Sequence, residues 1–198
     1  MLPIVLDLSS VNVMLVGNND RTINRLHSLD SSQAKNVKVF SDNPSDALAK
    51  MAGDRLINRL PTRDEIKDST VVLIAGLQRD KLSELATIAK EEKKIINVED
   101  LKEFCNFYYT SQLRRGDLLI SVSTRGASPA LSQDIRNNIE EQFGPEWEGI
   151  VEEVRGKRAQ WKKEGFSILD VSKKTHEFIK ERGWLEPVSQ SNYKKQRG

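Results

Sequence analysis

Cysteine is almost absent from this 198-residue chain. Cys105 stands alone, so no disulfide can form within one molecule. A single thiol fits a reducing compartment. Histidine is nearly as scarce, and Cys105 with His27 and His176 cannot assemble a Cys/His zinc site in one chain. An excess of charge of either sign is also missing. The 31 basic and 29 acidic residues leave a net charge of +2, which argues against a dedicated nucleic-acid binder. No apolar run approaches the roughly 18 residues that span a membrane. No basic segment leads into an apolar one at the start, as it would in a secretory signal. Repeats and low-complexity tracts are lacking too. These absences together predict a cytoplasmic protein with neither a nucleic-acid nor a membrane partner.

What is present is an alternation. Residues 11–16 (VNVMLV) form a short apolar run ending at Gly17 and read as a buried strand. Residues 21–29 place Ile23 and Leu26 on one helical face. Residues 37–40 read as a second strand, closed by Ser41-Asp42-Asn43-Pro44, and residues 55–60 as a third. Residues 70–75 (TVVLIA) give the strongest strand signal. Residues 80–93 follow as a helix, and residues 94–98 (KIINV) as a fifth strand. Continuous apolar strands alternating with helices indicate a parallel sheet covered on both faces. The fold class is therefore α/β, a Rossmann-like doubly wound sheet over residues 1–110.

Beyond it, residues 117–124 read as another strand. They lead through Arg125-Gly126-Ala127 to Ser128 and Pro129, which suit the N-cap and first position of a helix. From Pro145 the chain is charged and helical, with Trp147, Ile150, Val151 and Val154 on one face. A further helix is expected over residues 172–182, then a loose basic tail from Leu185. Trp147, Trp161 and Trp184 read as helix-packing residues, and Cys105 as a structural thiol.

In a dinucleotide-binding fold, a glycine-rich turn after the first strand lets pyrophosphate approach the N-terminus of the next helix. Here the turn is Gly17-Asn18-Asn19-Asp20-Arg21, and only the first glycine of G-x-G-x-x-G is present. Asparagine tolerates left-handed backbone, so the turn can form. Asn19 adds bulk, and Asp20 adds negative charge that Arg21 could offset. Asp42 lies 25 residues beyond Gly17, where an acidic residue can bind the adenine ribose. An adapted NAD site and a Rossmann turn that has lost its nucleotide both remain open.

Three segments carry a family resemblance: Leu6-Asp7-Leu8; Asn97-Val98-Glu99-Asp100 with Cys105 and Phe107; and Arg115-Gly116-Asp117-Leu118 running through Ser123-Thr124-Arg125-Gly126-Ala127-Ser128-Pro129-Ala130-Leu131. In this order and spacing, the chain from about Leu2 to Phe143 resembles the precorrin-2 dehydrogenase/sirohydrochlorin ferrochelatase family, the module of sirohaem synthases.

The resemblance implies three parts: a Rossmann-like NAD-binding domain (1–110), a dimerisation segment (111–144) and a helical domain with a loose tail (145–198). It implies a homodimer, a tetrapyrrole substrate, and NAD-dependent oxidation of precorrin-2 to sirohydrochlorin. In many members ferrous iron, as a second substrate, is then inserted. The family's essential aspartate falls on Asp100, as proton acceptor or as an aid to metal insertion, with no fixed metal site. Position alone also suits Asp100 as a cap for the next helix. On the cofactor side the implied residues are Gly17, Asn18, Asn19, Asp42 and Gly76. On the substrate side they are Asn97, Ser123, Thr124, Arg125 and Ser128, in turns suited to carboxylates, with Arg114 and Arg115 as electrostatic attractors. The departures at Asn18, Asn19 and Gly76 fall on the cofactor side. Two alternatives therefore stand beside the dehydrogenase: a chelatase or tetrapyrrole-binding protein without NAD, and a non-catalytic nucleotide-binding regulator.

Overall fold

Alternate residues of the central strands point to opposite faces, and both faces are apolar. That pattern needs cover on two sides. A computed structural model describes residues 2–185. It resolves into two units, the first running to Tyr108 and the second starting at Tyr109.

In the first unit, β1 (Asn12–Val16), β2 (Asn36–Phe40), β3 (Leu56–Ile57), β4 (Val71–Ile74) and β5 (Ile95–Val98) form one sheet in the order β3-β2-β1-β4-β5. Every pairing is parallel. Val13, Leu15, Val39 and Leu73 pack on one face with Leu26 and Leu29 of α1 (Asp20–Ser31) and Leu48 of α2 (Asp46–Ala52). Met14, Val16, Val72 and Ile74 pack on the other with Ile66 of α3 (Arg63–Asp68) and Leu82, Leu85 and Ala89 of α4 (Arg79–Glu91). The Rossmann-like class is thus realised. A strand order that reverses beside β1 opens a crevice at the carboxyl ends of β1 and β4, where such folds bind ligands.

The third strand is shorter than its sequence suggests. Residues 53–55 form a 3-10 turn, and the Arg55 side chain donates to the carbonyls of Met51 and Ala52 at the end of α2. Only Leu56 and Ile57 remain to pair with Val39 and Phe40. The short helices α2 and α3 have no apolar period long enough to announce them. They rest on caps instead: Ser45 accepts from Leu48, and Thr62 and Glu65 form a reciprocal capping box.

In the second unit, β6 (Ser111–Arg115) and β7 (Leu118–Val122) make an antiparallel hairpin, with Leu113 opposite Ile120. The strand β6 is masked in the sequence because four of its five residues are polar. The helix α5 (Pro129–Glu140) begins as expected, with Ser128 Oγ accepting from the Leu131 amide and Pro129 at the first position. It packs on the hairpin, and α6 (Trp147–Lys163) packs against α7 (Ile168–Arg182). The start of α7 lies ahead of the expected Ser172, because Ser167 caps it and Ile168 and Leu169 face outward without apolar cover. Trp161 and Trp184 both meet Phe178 edge-on, and Trp147 contacts Phe143, in keeping with packing roles. The expected tail from Leu185 lies, beyond that residue, outside the described residues.

Candidate functional site

The carboxyl ends of β1, β2, β4 and β5 converge on one edge of the first unit. Gly17 leaves β1 there, and its amide donates to the Phe40 carbonyl at 2.9 Å. A Cβ at Gly17 would lie 1.8 Å from the Ala75 carbonyl oxygen, so only glycine allows this approach. The buried Thr22 hydroxyl donates to the same carbonyl at 3.0 Å and fixes α1 against the end of β4.

Asn18 and Asn19 occupy the space that glycines would leave. Asn18 Oδ1 accepts from Ser41 Oγ at 2.6 Å, and Asn18 Nδ2 donates to Asp42 Oδ1 at 2.9 Å. The other oxygen of Asp42 pairs with Lys81 in the first turn of α4. The Lys81 ammonium first, and the Asn18 amide second, hold the Asp42 carboxyl below the ordinary carboxylate range. Asn19 Oδ1 caps α1 by accepting from the Arg21 amide at 3.0 Å. A Cβ on Gly76 would come within 2.2 Å of that same oxygen, so Gly76, with φ of 71°, has no room for one.

A charged cluster lies next to this turn. The Gly76 amide donates to Glu99 Oε2 at 2.8 Å. The Arg21 guanidinium pairs with the other Glu99 oxygen and with Asp100 Oδ2, the latter at 3.1 Å. These two carboxylates, Glu99 foremost, raise the proton affinity of the guanidinium further. The two acids differ in surroundings. The side chain of Glu99 is 15% exposed and that of Asp100 is 80% exposed. Asp100 has left-handed backbone, with φ of 55°. Asp tolerates this region, which costs most residues about 1 kcal/mol. Asp100 does not cap the next helix: the 3-10 turn at Lys102–Phe104 has Leu101 at its N-cap and no side-chain cap bond. Cys105 pins this turn instead, through contacts with the Val98 amide and carbonyl at 3.2 Å.

Gly17, Asn18, Asn19, Asp42, Gly76 and Asp100 therefore come together on one edge. Asn97 lies within β5, 7% exposed, and its amide donates to the Phe107 carbonyl at 3.0 Å. Ser123, Thr124, Arg125 and Ser128 form a self-bonded turn in the second unit. Thr124 Oγ1 accepts from the Ser128 amide at 3.1 Å and also contacts the Ser132 hydroxyl. Ser123 Oγ accepts from the Arg125 amide at 3.2 Å, and Arg125 has φ of 55°. Arg115 is committed to Glu140 and the Phe143 carbonyl. Sequence reasoning gave no role to Glu99 or Lys81. Glu99 was legible only as a second acid beside Asp100. Lys81 was legible only as a cation placed against the dipole at a helix start.

The Gly76 amide and Arg21 already hold one carboxylate from the chain itself. Donors for an anion therefore stand at this edge, and an amide beside a guanidinium suits the pyrophosphate of a nicotinamide dinucleotide. Among the described residues, no three His, Cys, Asp or Glu side chains cluster as metal ligands. Also among them, no helix is long and apolar enough to cross a membrane.

Comparison with known proteins bears on this site. Residues 4–111 match the family model described as "Putative NAD(P)-binding", and residues 115–142 match that described as "Sirohaem biosynthesis protein central". Siroheme synthase 1 of Klebsiella pneumoniae is 28% identical over 142 residues, covering 70% of this chain and 30% of that protein. Siroheme synthase of Methylococcus capsulatus is 31% identical over 143 residues, with the same two shares. Siroheme biosynthesis protein met8 of Schizosaccharomyces pombe is 32% identical over 83 residues, covering 41% of this chain and 31% of that protein. The chain thus spans about a third of the length of these curated relatives. Among solved structures, SirC, a precorrin-2 dehydrogenase, shares the fold with a TM-score of 0.73 at 19% identity, covering 99% of this chain and 98% of that one.

Proposed function

This chain belongs to the family described as putative NAD(P)-binding, and from that premise, with the sirohaem biosynthesis match of residues 115–142 beside it, we propose that it oxidises precorrin-2 to sirohydrochlorin with NAD. The observation that carries the reading is the Asp100 carboxylate, held on a left-handed turn beside the Gly17 turn at the carboxyl edge of the sheet. A bound NAD would supply the hydride acceptor for oxidation of the macrocycle. Loss of that hydride leaves a cation that sheds a proton, and Asp100 receives it. Gly17, Asn18, Asn19 and Gly76 line the path of the cofactor backbone. Asp42 offers an acceptor to the adenine ribose. In the second unit, Ser123, Thr124, Arg125 and Ser128 supply a turn for the carboxylates of the macrocycle. Asn97 serves by fixing the segment that follows Asp100, through its bond to the Phe107 carbonyl.

The second unit supports a homodimer. Its only buried residues among those described are Leu113, Ser132, Val171 and Thr175. Leu131 and Ile135 on α5 are 51% and 38% exposed. We take residues 111–144 as the dimerisation segment and 145–198 as the helical part. The even charge balance and the lone thiol support action in the cytoplasm.

The test is NADH formation when purified protein meets precorrin-2 and NAD. Turnover is expected, and its absence under conditions where a known dehydrogenase works would end the reading. A second reading, insertion of ferrous iron, is favoured by the exposure of Asp100, which puts its carboxylate within reach of a pyrrole proton once Arg21 turns away. Iron uptake by supplied sirohydrochlorin without NAD, lost in Asp100→Ala, is the result that supports it.

A further inference from the structure

The donors that hold an anion at this edge are already engaged. The Gly76 amide and Arg21 both point at Glu99, the least exposed acid of the cluster. Asp100 has Arg21 as its cationic partner. A dinucleotide pyrophosphate is drawn to the start of the helix after β1, where Arg21 is the second residue of α1. It therefore competes with Glu99 for Arg21 and is repelled by the Glu99 carboxylate if that group stays.

We propose that Glu99 is a built-in stand-in for the cofactor's phosphate, and that NAD entry displaces it, draws Arg21 away and releases Asp100 for proton transfer. This rests on the dehydrogenase reading and deepens it. Glu99 acts as a positioning residue that ties the state of Asp100 to occupancy of the cofactor site. Two features of the cluster carry the idea. One guanidinium bridges both acids, so it cannot turn to a phosphate without loosening each. The Gly76 amide is a single N–H donor already given to Glu99, so it cannot serve that carboxylate and a phosphate together. The defects of the glycine-rich turn thus become intelligible. With Asn18 and Asn19 filling the usual approach, the anion-holding role passes to Gly76 and Arg21.

Calorimetric titration of the full chain with NAD tests this in the wild type, Glu99→Gln and Arg21→Gln. Glutamine keeps an acceptor for the Gly76 amide, so an unchanged melting temperature is expected. Its affinity for NAD should rise about tenfold, within the usual span of coupling between sites. Arg21→Gln should bind more weakly than the wild type. In the wild type, the carboxyl carbon resonances of Glu99 and Asp100 should both move on saturation with NAD. Wild-type binding that Glu99→Gln leaves equal or weaker overturns the inference alone, as do unmoved Glu99 and Asp100 signals. No binding by any of the three proteins overturns the dinucleotide reading as well.

Discussion

The two units solve the problem of burial differently. In the first, Leu15, Val16, Val39, Val72 and Leu73 are 0–1% exposed, and helices cover both faces of the sheet. In the second, Ile168 and Leu169 are 83% and 82% exposed, and α6 has no buried residue at all. The first unit has a core sufficient to hold the Asp100 carboxylate on a left-handed turn. The second leaves large apolar residues exposed, and on the proposed dimer reading such residues mark a surface that meets a second copy. Chemistry is expected to depend on the first unit, and assembly on the second.

The largest expected effect separates these roles. Asp100→Asn should lower the rate of precorrin-2 oxidation by about 10²–10⁴-fold. Thermal unfolding and sedimentation should show the melting temperature and oligomer unchanged. A parallel loss of the dimer would break the division of labour.

Core truncation is next. Leu15→Ala, at a fully buried position, should cost about 2–5 kcal/mol in denaturant unfolding. Leu169→Ala, largely exposed, should stay within about 0.5 kcal/mol. Leu131→Ala combined with Ile135→Ala, on the exposed face of α5, should weaken self-association in sedimentation. Equal costs for Leu15 and Leu169 would show that the second unit is filled in a way its exposure denies.

Ser128→Ala removes the cap of α5 and should cost about 1 kcal/mol. The smallest effect is one of pH. Glu65 in the first unit is held down to about 2, chiefly by Arg59. Its folded-state pKa lies below that of the unfolded chain, so its contribution is complete above the ordinary carboxylate range, about 4. That contribution fades as the pH falls toward 2. Glu65→Gln should flatten this part of the acid unfolding curve.

Much of the first unit was legible because its strands are continuous apolar runs and α1 and α4 are long enough to show a helical period. Gly17 and Asp42 could be located for the same reason, since both follow such strands. The shortness of β3 was not legible, because it follows from Arg55 turning back on the carbonyls of α2. Nor was β6, whose polar residues hide a strand that exists only by pairing with β7. At the site, Asp100 was legible from its N-V-x-D setting. The engagement of Glu99 was not, since it depends on Gly76 and Arg21, which lie 23 and 78 residues away in sequence. Long-range partners of this kind leave no local pattern.

The most direct measurement follows NADH release and sirohydrochlorin formation together, in one reaction of the purified chain with precorrin-2 and NAD. The account predicts that the two rise in equal amounts and that both collapse in Asp100→Asn. Sirohydrochlorin forming without NADH, or full activity in that variant, would contradict it.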